Sequence, residues 1–243
     1  MEAFNKILLL VFILAVPLFC LLSVTRFLVL SESTYEHALL QGQAELVTGV
    51  SLEQLTAVNQ EIRNYLLGFS DAPLWISVVT NEGISMSIFN DREVNHMIDV
   101  RNLMQLFWKI HDALFIFILS SLAISFIRFR DDPLLKIAAD VRAASLTGIG
   151  LFAILAGLIF TGFDSAFYKF HELMFTNDLW ILNESTDRLL QMYPRDFWYW
   201  ATVRLAGATS ILIFLMFGLS HLYLKIRKPE SDGRPESITR WIN

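Results

Sequence analysis

The chain has 243 residues, 54% of them apolar and 20 of them Phe, and its 19 basic and 24 acidic residues leave a formal charge of −5. That composition is one of an integral membrane protein, and the acidic balance argues against nucleic acid as a partner. A single cysteine, Cys20, excludes an internal disulfide and a thiol metal cluster.

Four stretches can cross a hydrocarbon core, which takes about 20 apolar residues at 1.5 Å each. They cover residues 7–30, 106–127, 143–163 and 205–226. Backbone groups in lipid must be hydrogen-bonded internally, so each stretch reads as a helix. The first has an apolar core longer than the roughly 7–15 residues of a cleaved signal peptide, and no small-x-small pattern follows it. Phe19 stands where a lipid-attachment motif ending at Cys20 would need a small residue. The run is therefore an uncleaved anchor, with Cys20 a small hydrophobe inside it and Arg26 snorkelling to the headgroups near its outer end.

Residues 31–105 make a connection of about 75 residues, too long for a plain loop. Ser51-Leu-Glu-Gln reads as a helix start, and Leu52, Leu55, Val58, Ile62 and Leu66 keep helical spacing until Asp71-Ala-Pro73. Residues 74–80 (LWISVVT) and 84–89 are strand-like on either side of an Asn81-Glu-Gly83 turn. Asn90 or Asp91 then caps a helix that carries Glu93, His96 and Asp99 into the second membrane run. A cap this small is expected to bury little core of its own and to lean on the membrane helices.

Arg128, Arg130, Lys136 and Arg142 lie between the second and third runs, and Lys225, Arg227, Lys228, Arg234 and Arg240 follow the fourth. The positive-inside rule places both segments in the cytoplasm. Both termini are then cytoplasmic, and the tail KIRKPESDGRPES is a solvated end that stops transfer. The fold class that results is an α-helical integral membrane protein, four transmembrane helices with a small α+β extracytoplasmic cap. Its parts are the N-terminal helix (1–30), the cap (31–105), helices two and three with a cytoplasmic loop (106–163), a second outer segment (164–204), and helix four with its tail (205–243).

Topology separates the five histidines. His221 lies inside the fourth run, where packing is the default role, and His37 has no partner suggested by spacing. His111 sits just inside the second run beside Asp112 and is a secondary candidate. In NDREVNHMIDVRNLM (90–104), Arg92, His96 and Asp99 share a helix face, and Asp99 can accept a hydrogen bond from one ring nitrogen of His96. If the third helix continues past Phe163, Asp164, Phe167, Tyr168, His171 and Phe175 form one face and bring His171 to the same leaflet as His96. Interfacial aromatics usually form an anchoring belt with no catalytic meaning. A metal site built from His96, Asp99, His171, Glu172 or Asp178 is the other sharp reading, although no HExxH pair occurs. GxSxG, phosphate-loop and GxGxxG motifs are absent, so ordinary hydrolase and nucleotide readings fail.

Two motifs, FNDREVNHMIDVRNLM (89–104) and FHELMFTNDLWILNESTDRLLQMYPRDFW (170–198), together with the topology, resemble the lipoprotein intramolecular transacylase (Lit) family of four-helix integral membrane proteins. The first motif is met by Glu93, His96, Met97, Asp99, Val100 and Arg101. The second is met by Phe170, His171, Asn177, Asp178, Trp180, Thr186, Asp187, Pro194, Phe197 and Trp198. Two positions depart: Arg188 stands where the family pattern has proline, and Tyr193-Pro194-Arg195 where it has Leu-Pro-Glu.

The resemblance implies an acyltransferase that needs neither cofactor nor metal. Its substrate would be a diacylated lipoprotein in the cell (cytoplasmic) membrane, alongside membrane lipid. The sn-2 acyl chain would move from the S-diacylglyceryl group to the α-amino group of the lipoprotein's own N-terminal cysteine, giving the lyso-form. His96 and His171 would be the catalytic acid and base at the outer leaflet, with Asp99, Arg101 and Asp178 orienting them. Phe167, Tyr168, Phe170, Phe175 and Trp180 would wall the substrate pocket. Two rival readings stand beside it: a metal-dependent membrane-surface hydrolase, and a non-enzymatic membrane scaffold or sensor.

Overall fold

The computed structural model describes residues 2–227, so the tail beyond Arg227, including Lys228, Arg234 and Arg240, lies outside the described residues. Four helices are long and apolar enough to cross a membrane: α1 (Glu2–Leu30), α5 (Asp91–Arg128), α6 (Pro133–Met174) and α8 (Arg195–Arg227). Each exceeds its apolar run. Helix α5 passes unbroken through the expected cap boundary at residue 105, and α6 continues beyond Phe163 after a kink at Gly162, where the backbone leaves helical geometry (φ −175°, ψ 61°).

Helix α1 packs against α5, α6 and α8, and α6 packs mainly on α8. They pack closely at Gly148, where an added Cβ would lie 3.0 Å from Ile213 and 3.1 Å from Pro17. Small residues at such points let apolar helices come together in lipid. Buried apolar groups in the bundle are small clusters, Phe12–Val16–Ala144 and Cys20–Phe152–Ile213.

The cap is built differently. Helices α2 (Glu32–Gln41), α3 (Ala44–Thr48) and α4 (Leu52–Leu67) are followed by the two-stranded antiparallel pair β1 (Ser77–Val79) and β2 (Ser85–Ser87), in register Val78 to Met86. Both strands are shorter than the sequence pattern suggests. The expected helix face is realised by Leu55, Val58 and Ile62, which are buried, whereas Leu52 stays exposed at the first turn. These residues join Ile88, Phe89, Val94 and Met97 around α5 and Leu189, Met192, Tyr193 and Phe197 from α7 (Arg188–Met192) and α8. That cluster is the largest among the described residues, contrary to the expectation that the cap would bury little. The second outer segment supplies the missing apolar surface, each fully buried aliphatic side chain contributing about 1.5–3 kcal/mol.

Polar groups inside the cap join its two halves. Asn90 caps α5 in a reciprocal box with Glu93, satisfying two otherwise orphaned backbone donors. Glu93 is 1% exposed, and its other carboxylate oxygen accepts the Leu189 backbone N–H at 2.6 Å. Burial pushes its carboxyl above the usual range, while the Asn90 and Leu189 N–H groups pull the other way. Asp187 accepts from the Asn90 amide at 2.9 Å, and Tyr193 donates to the buried Asn59 carbonyl. The two sequence motifs are thereby stitched together before any chemistry is considered.

Candidate active site

His96 lies on the second turn of α5, above the membrane-crossing part, where its neighbours Val94 and Met97 belong to the cap core. His171 lies on the last turn of α6. The two rings come together with centroids 6.3 Å apart. They are enclosed by Phe175, 5.3 Å from His96 and 5.6 Å from His171, and by Phe167 and Trp180 at 4.3 and 5.1 Å from His171. Phe170 meets His171 edge-on at 5.4 Å, and Tyr168 packs against Trp180 at 4.9 Å. All five aromatics singled out in the sequence therefore gather about the histidine pair as one aromatic wall. Trp198, 6.0 Å from Phe167, extends it, and the aromatic pair near the end of the second motif was the signal for it.

The two rings are held unequally. The Nδ1 of His171 is 2.7 Å from the Phe167 carbonyl oxygen. A carbonyl can only accept, so Nδ1 carries the proton and the neutral ring keeps its lone pair on Nε2. His96 is only 6% exposed, and its Nδ1 is buried with no hydrogen-bond partner. Burial, reinforced by the neighbouring His171, pushes its pKa down to about 4 against a weaker opposing pull from Asp99. Burial also lowers His171, partly offset by the Phe167 carbonyl. Both rings are thereby biased toward the neutral form.

Asp99 occupies a different role from the one its spacing suggests. Its Oδ2 accepts from the Asn177 amide at 2.9 Å, while the His96 Nδ1 has no partner. A same-face position on a helix brings two side chains near each other, but here the carboxylate is claimed by a donor from a distant loop. Arg92 donates to the Asp178 carbonyl at 2.6 Å, giving that loop a second tie to α5. It is the Asp178 backbone, then, that enters the framework. Arg101 is drawn toward α4, where it pairs with Asp71, donates to the Tyr65 carbonyl at 3.2 Å and lies over the Tyr65 ring. Asp164 binds Arg195 through two bonds of 2.5 and 2.9 Å, fixing α6 above its kink to the start of α8. Arg195 is one of the two departures from the family pattern, and it acts one helical turn from Phe167.

The remaining histidines are elsewhere. His37 stacks on Trp200 at 3.9 Å and His221 on Phe217 at 5.6 Å. His111 forms a cluster between α1 and α5: Nε2 is 3.1 Å from Ser23 Oγ, and Nδ1 is 3.0 Å from Asp112, which also accepts from Arg26 at 3.0 Å. Among the described residues, no three His, Cys, Asp or Glu side chains are grouped to hold a metal ion.

Comparison with known proteins gives three findings. The sequence profile described as lipoprotein intramolecular transacylase Lit matches residues 10–198. An uncharacterised protein of Aquifex aeolicus is 33% identical over 139 residues, which span 57% of this chain and 56% of that protein's length. The solved structure of the membrane-integral lipoprotein intramolecular transacylase Lit from Bacillus cereus superposes with a TM-score of 0.76 at 17% identity, covering 94% of this chain and 99% of that one. A histidine-to-alanine variant of the same Bacillus cereus protein gives 0.71 at 16% identity, over 94% and 97% of the two chains. Those structures share the fold.

Proposed function

This chain belongs to the lipoprotein intramolecular transacylase family, and from that premise we propose that it moves the sn-2 acyl chain of an S-diacylglyceryl lipoprotein to the α-amino group of the same lipoprotein's N-terminal cysteine. The product is a lyso-form lipoprotein with an N-acyl group and an S-monoacylglyceryl group. We further infer that both termini are cytoplasmic, from the basic segments at 128–142 and after 225, so that the histidine pair works at the outer leaflet.

The observation that carries the reading is the bond from His171 Nδ1 to the Phe167 carbonyl, which leaves Nε2 to act as a base on a ring whose centroid is 6.3 Å from that of His96. The substrate's α-amine has an unperturbed pKa of about 7.7–8, so an appreciable fraction is free amine near neutral pH, and a neutral imidazole has only to take the proton that the nitrogen sheds on attack. The free amine attacks the sn-2 ester carbon, His171 takes one of its N–H protons, and a tetrahedral adduct forms. As the bond from that carbon to the glyceryl oxygen breaks, a histidine returns the proton to the departing oxygen. One amide N–C bond is made, one ester C–O bond is lost, and the enzyme ends unchanged. His171 is the base in this scheme and His96 its acid/base partner, each worth roughly 10²–10⁴-fold.

No enzyme nucleophile is required, because nucleophile and ester belong to one molecule. Holding them together supplies much of the rate, since effective molarities of well-oriented groups reach about 10⁵–10⁸ M. The walls formed by Phe167, Phe175 and Trp180 keep water from the ester, which would otherwise be hydrolysed. The test is a synthetic S-diacylglyceryl lipopeptide with a deuterated sn-2 chain, incubated with the purified protein and read by tandem mass spectrometry. The expected product carries deuterium on the peptide nitrogen with total mass unchanged, and chelator leaves the rate unaltered. Loss of the labelled chain as free fatty acid would replace transfer by hydrolysis.

A further inference from the structure

The cap has an exposed aromatic tip whose height above the membrane is fixed by bonds to the spanning helices. Helix α4 descends toward the membrane: its Arg63 donates to the carbonyl of Leu30, the last residue of α1, at 3.4 Å. One turn on, the Leu66 carbonyl accepts from Gln105 at 2.9 Å and from Trp108 Nε1 at 3.1 Å, at the start of the apolar run of α5. Gly68 then ends the helix in a left-handed turn (φ 83°), seated so closely on α5 that an added Cβ would lie 2.9 Å from the Gln105 side chain. The next residue, Phe69, is 77% exposed. The chain then turns back upward, since Asp71 pairs with Arg101. Phe69 thus follows directly on the turn that rests against Gln105, beside the exposed Leu106 at the start of the apolar run of α5.

We propose that the loop after α4, with Phe69 at its tip, is a membrane-docking element that inserts into the lipid leaflet on the cap side. The occupant is the bilayer, because the exposed tip adjoins the turn of α5 where its exposed apolar surface, beginning with Leu106, starts. Aromatic side chains are favoured at that depth. The consequence is mechanical: α4 is clamped at its lower end both to α5 and to lipid, and the cap that carries His96 is held at a set height over the leaflet.

The test uses nitroxide labels on single-cysteine variants in a Cys20→Ala background, reconstituted in phosphatidylcholine–phosphatidylglycerol vesicles. Collision with oxygen, which concentrates in lipid, is compared with collision with a water-soluble nickel chelate. Leu46→Cys on α3, at the end of α2 that is about 15 Å of helix away from Leu30, is the water reference, and Ile116→Cys in the middle of α5 is the lipid reference. Phe69→Cys should show an oxygen-to-nickel ratio several-fold above that at position 46. Ser70→Cys, which keeps Phe69 in place, should show an intermediate rise. A ratio at position 69 equal to that at 46 would put the tip in water and overturn the proposal. A label shielded from both reagents would overturn it too, by pointing to a protein partner.

Discussion

His96 and His111 ride on the same helix, yet one is starved of partners and the other has one for each ring nitrogen. His111 is met by Ser23 on Nε2 and by Asp112, with Arg26 beside it, on Nδ1, and its ring stacks on Phe19 at 4.8 Å. Every group in that cluster is satisfied by another, which ties α1 to α5 and leaves nothing over for a substrate. His96 sits among aromatics with a buried, unpartnered nitrogen and a second imidazole opposite. An unpaired buried polar atom costs about 1–3 kcal/mol, a cost that His37 Nε2 carries as well, so what distinguishes His96 is the second imidazole and the aromatic rings around it. The contrast separates a histidine that holds helices together from one that the proposed mechanism can use for proton exchange.

The sharpest way to break this contrast is to remove the rings one at a time. His171→Ala and His96→Ala should each reduce acyl transfer by roughly 10²–10⁴-fold, while His111→Ala should leave turnover per folded molecule within about threefold of wild type. Initial rates on the synthetic lipopeptide, corrected for folded protein, decide it. Next in size is Asn177→Ala, which frees Asp99 and loosens the loop that carries Trp180. Misplacement of about 1 Å can cost up to 10²-fold, and the loss should fall on kcat rather than KM.

The contrast can also be sharpened by pH. Both active-site imidazoles are held below the ordinary histidine value, His96 at about 4. The rate should therefore rise with the substrate amine, whose pKa is about 8, and show no inflection near 6.5 from either ring. Stability carries the same signature. A histidine whose folded pKa is depressed contributes stability that is complete above its unfolded value of about 6.5 and drains away as pH falls toward the folded value. The melting temperature should fall between pH 6.5 and 4, and less steeply in His96→Phe. The smallest expected effect is that of Glu93→Gln, which replaces one of two acceptors with an amide donor facing a backbone N–H. It should cost about 1–3 kcal/mol of stability, measured by thermal unfolding in detergent, and leave kcat of the folded protein nearly unchanged.

Much of the fold was legible because lipid imposes a simple rule: the four apolar runs had to be helices, and they are. The start of α5 at Asn90 was legible for a similar reason, since an Asn followed three residues later by Glu is a local cap. The size of the cap core was not. It depends on Leu189, Met192, Tyr193 and Phe197 arriving from the other end of the chain, and no local pattern announces that. The site divides in the same way. His96, His171 and their aromatic walls could be found from helical spacing and topology. The carboxylates could not be assigned: Asp99 answers to Asn177, Arg101 to Asp71 and Asp164 to Arg195, each a partner far away in sequence. Spacing reports neighbours on one helix, and here the decisive contacts cross between elements.

In the proposed mechanism the His96–His171 pair performs proton transfer for an intramolecular acyl shift while His111 is structural. Its most direct test is tandem mass spectrometry of lipoprotein N-terminal peptides from cells lacking the protein and complemented with wild type, His96→Ala, His171→Ala or His111→Ala at matched expression. The account predicts N-acyl, S-monoacylglyceryl peptides with wild type and His111→Ala, and diacylglyceryl peptides with a free amine in the other two. Transfer that persists in His171→Ala, or that is lost in His111→Ala with the protein folded, would contradict it.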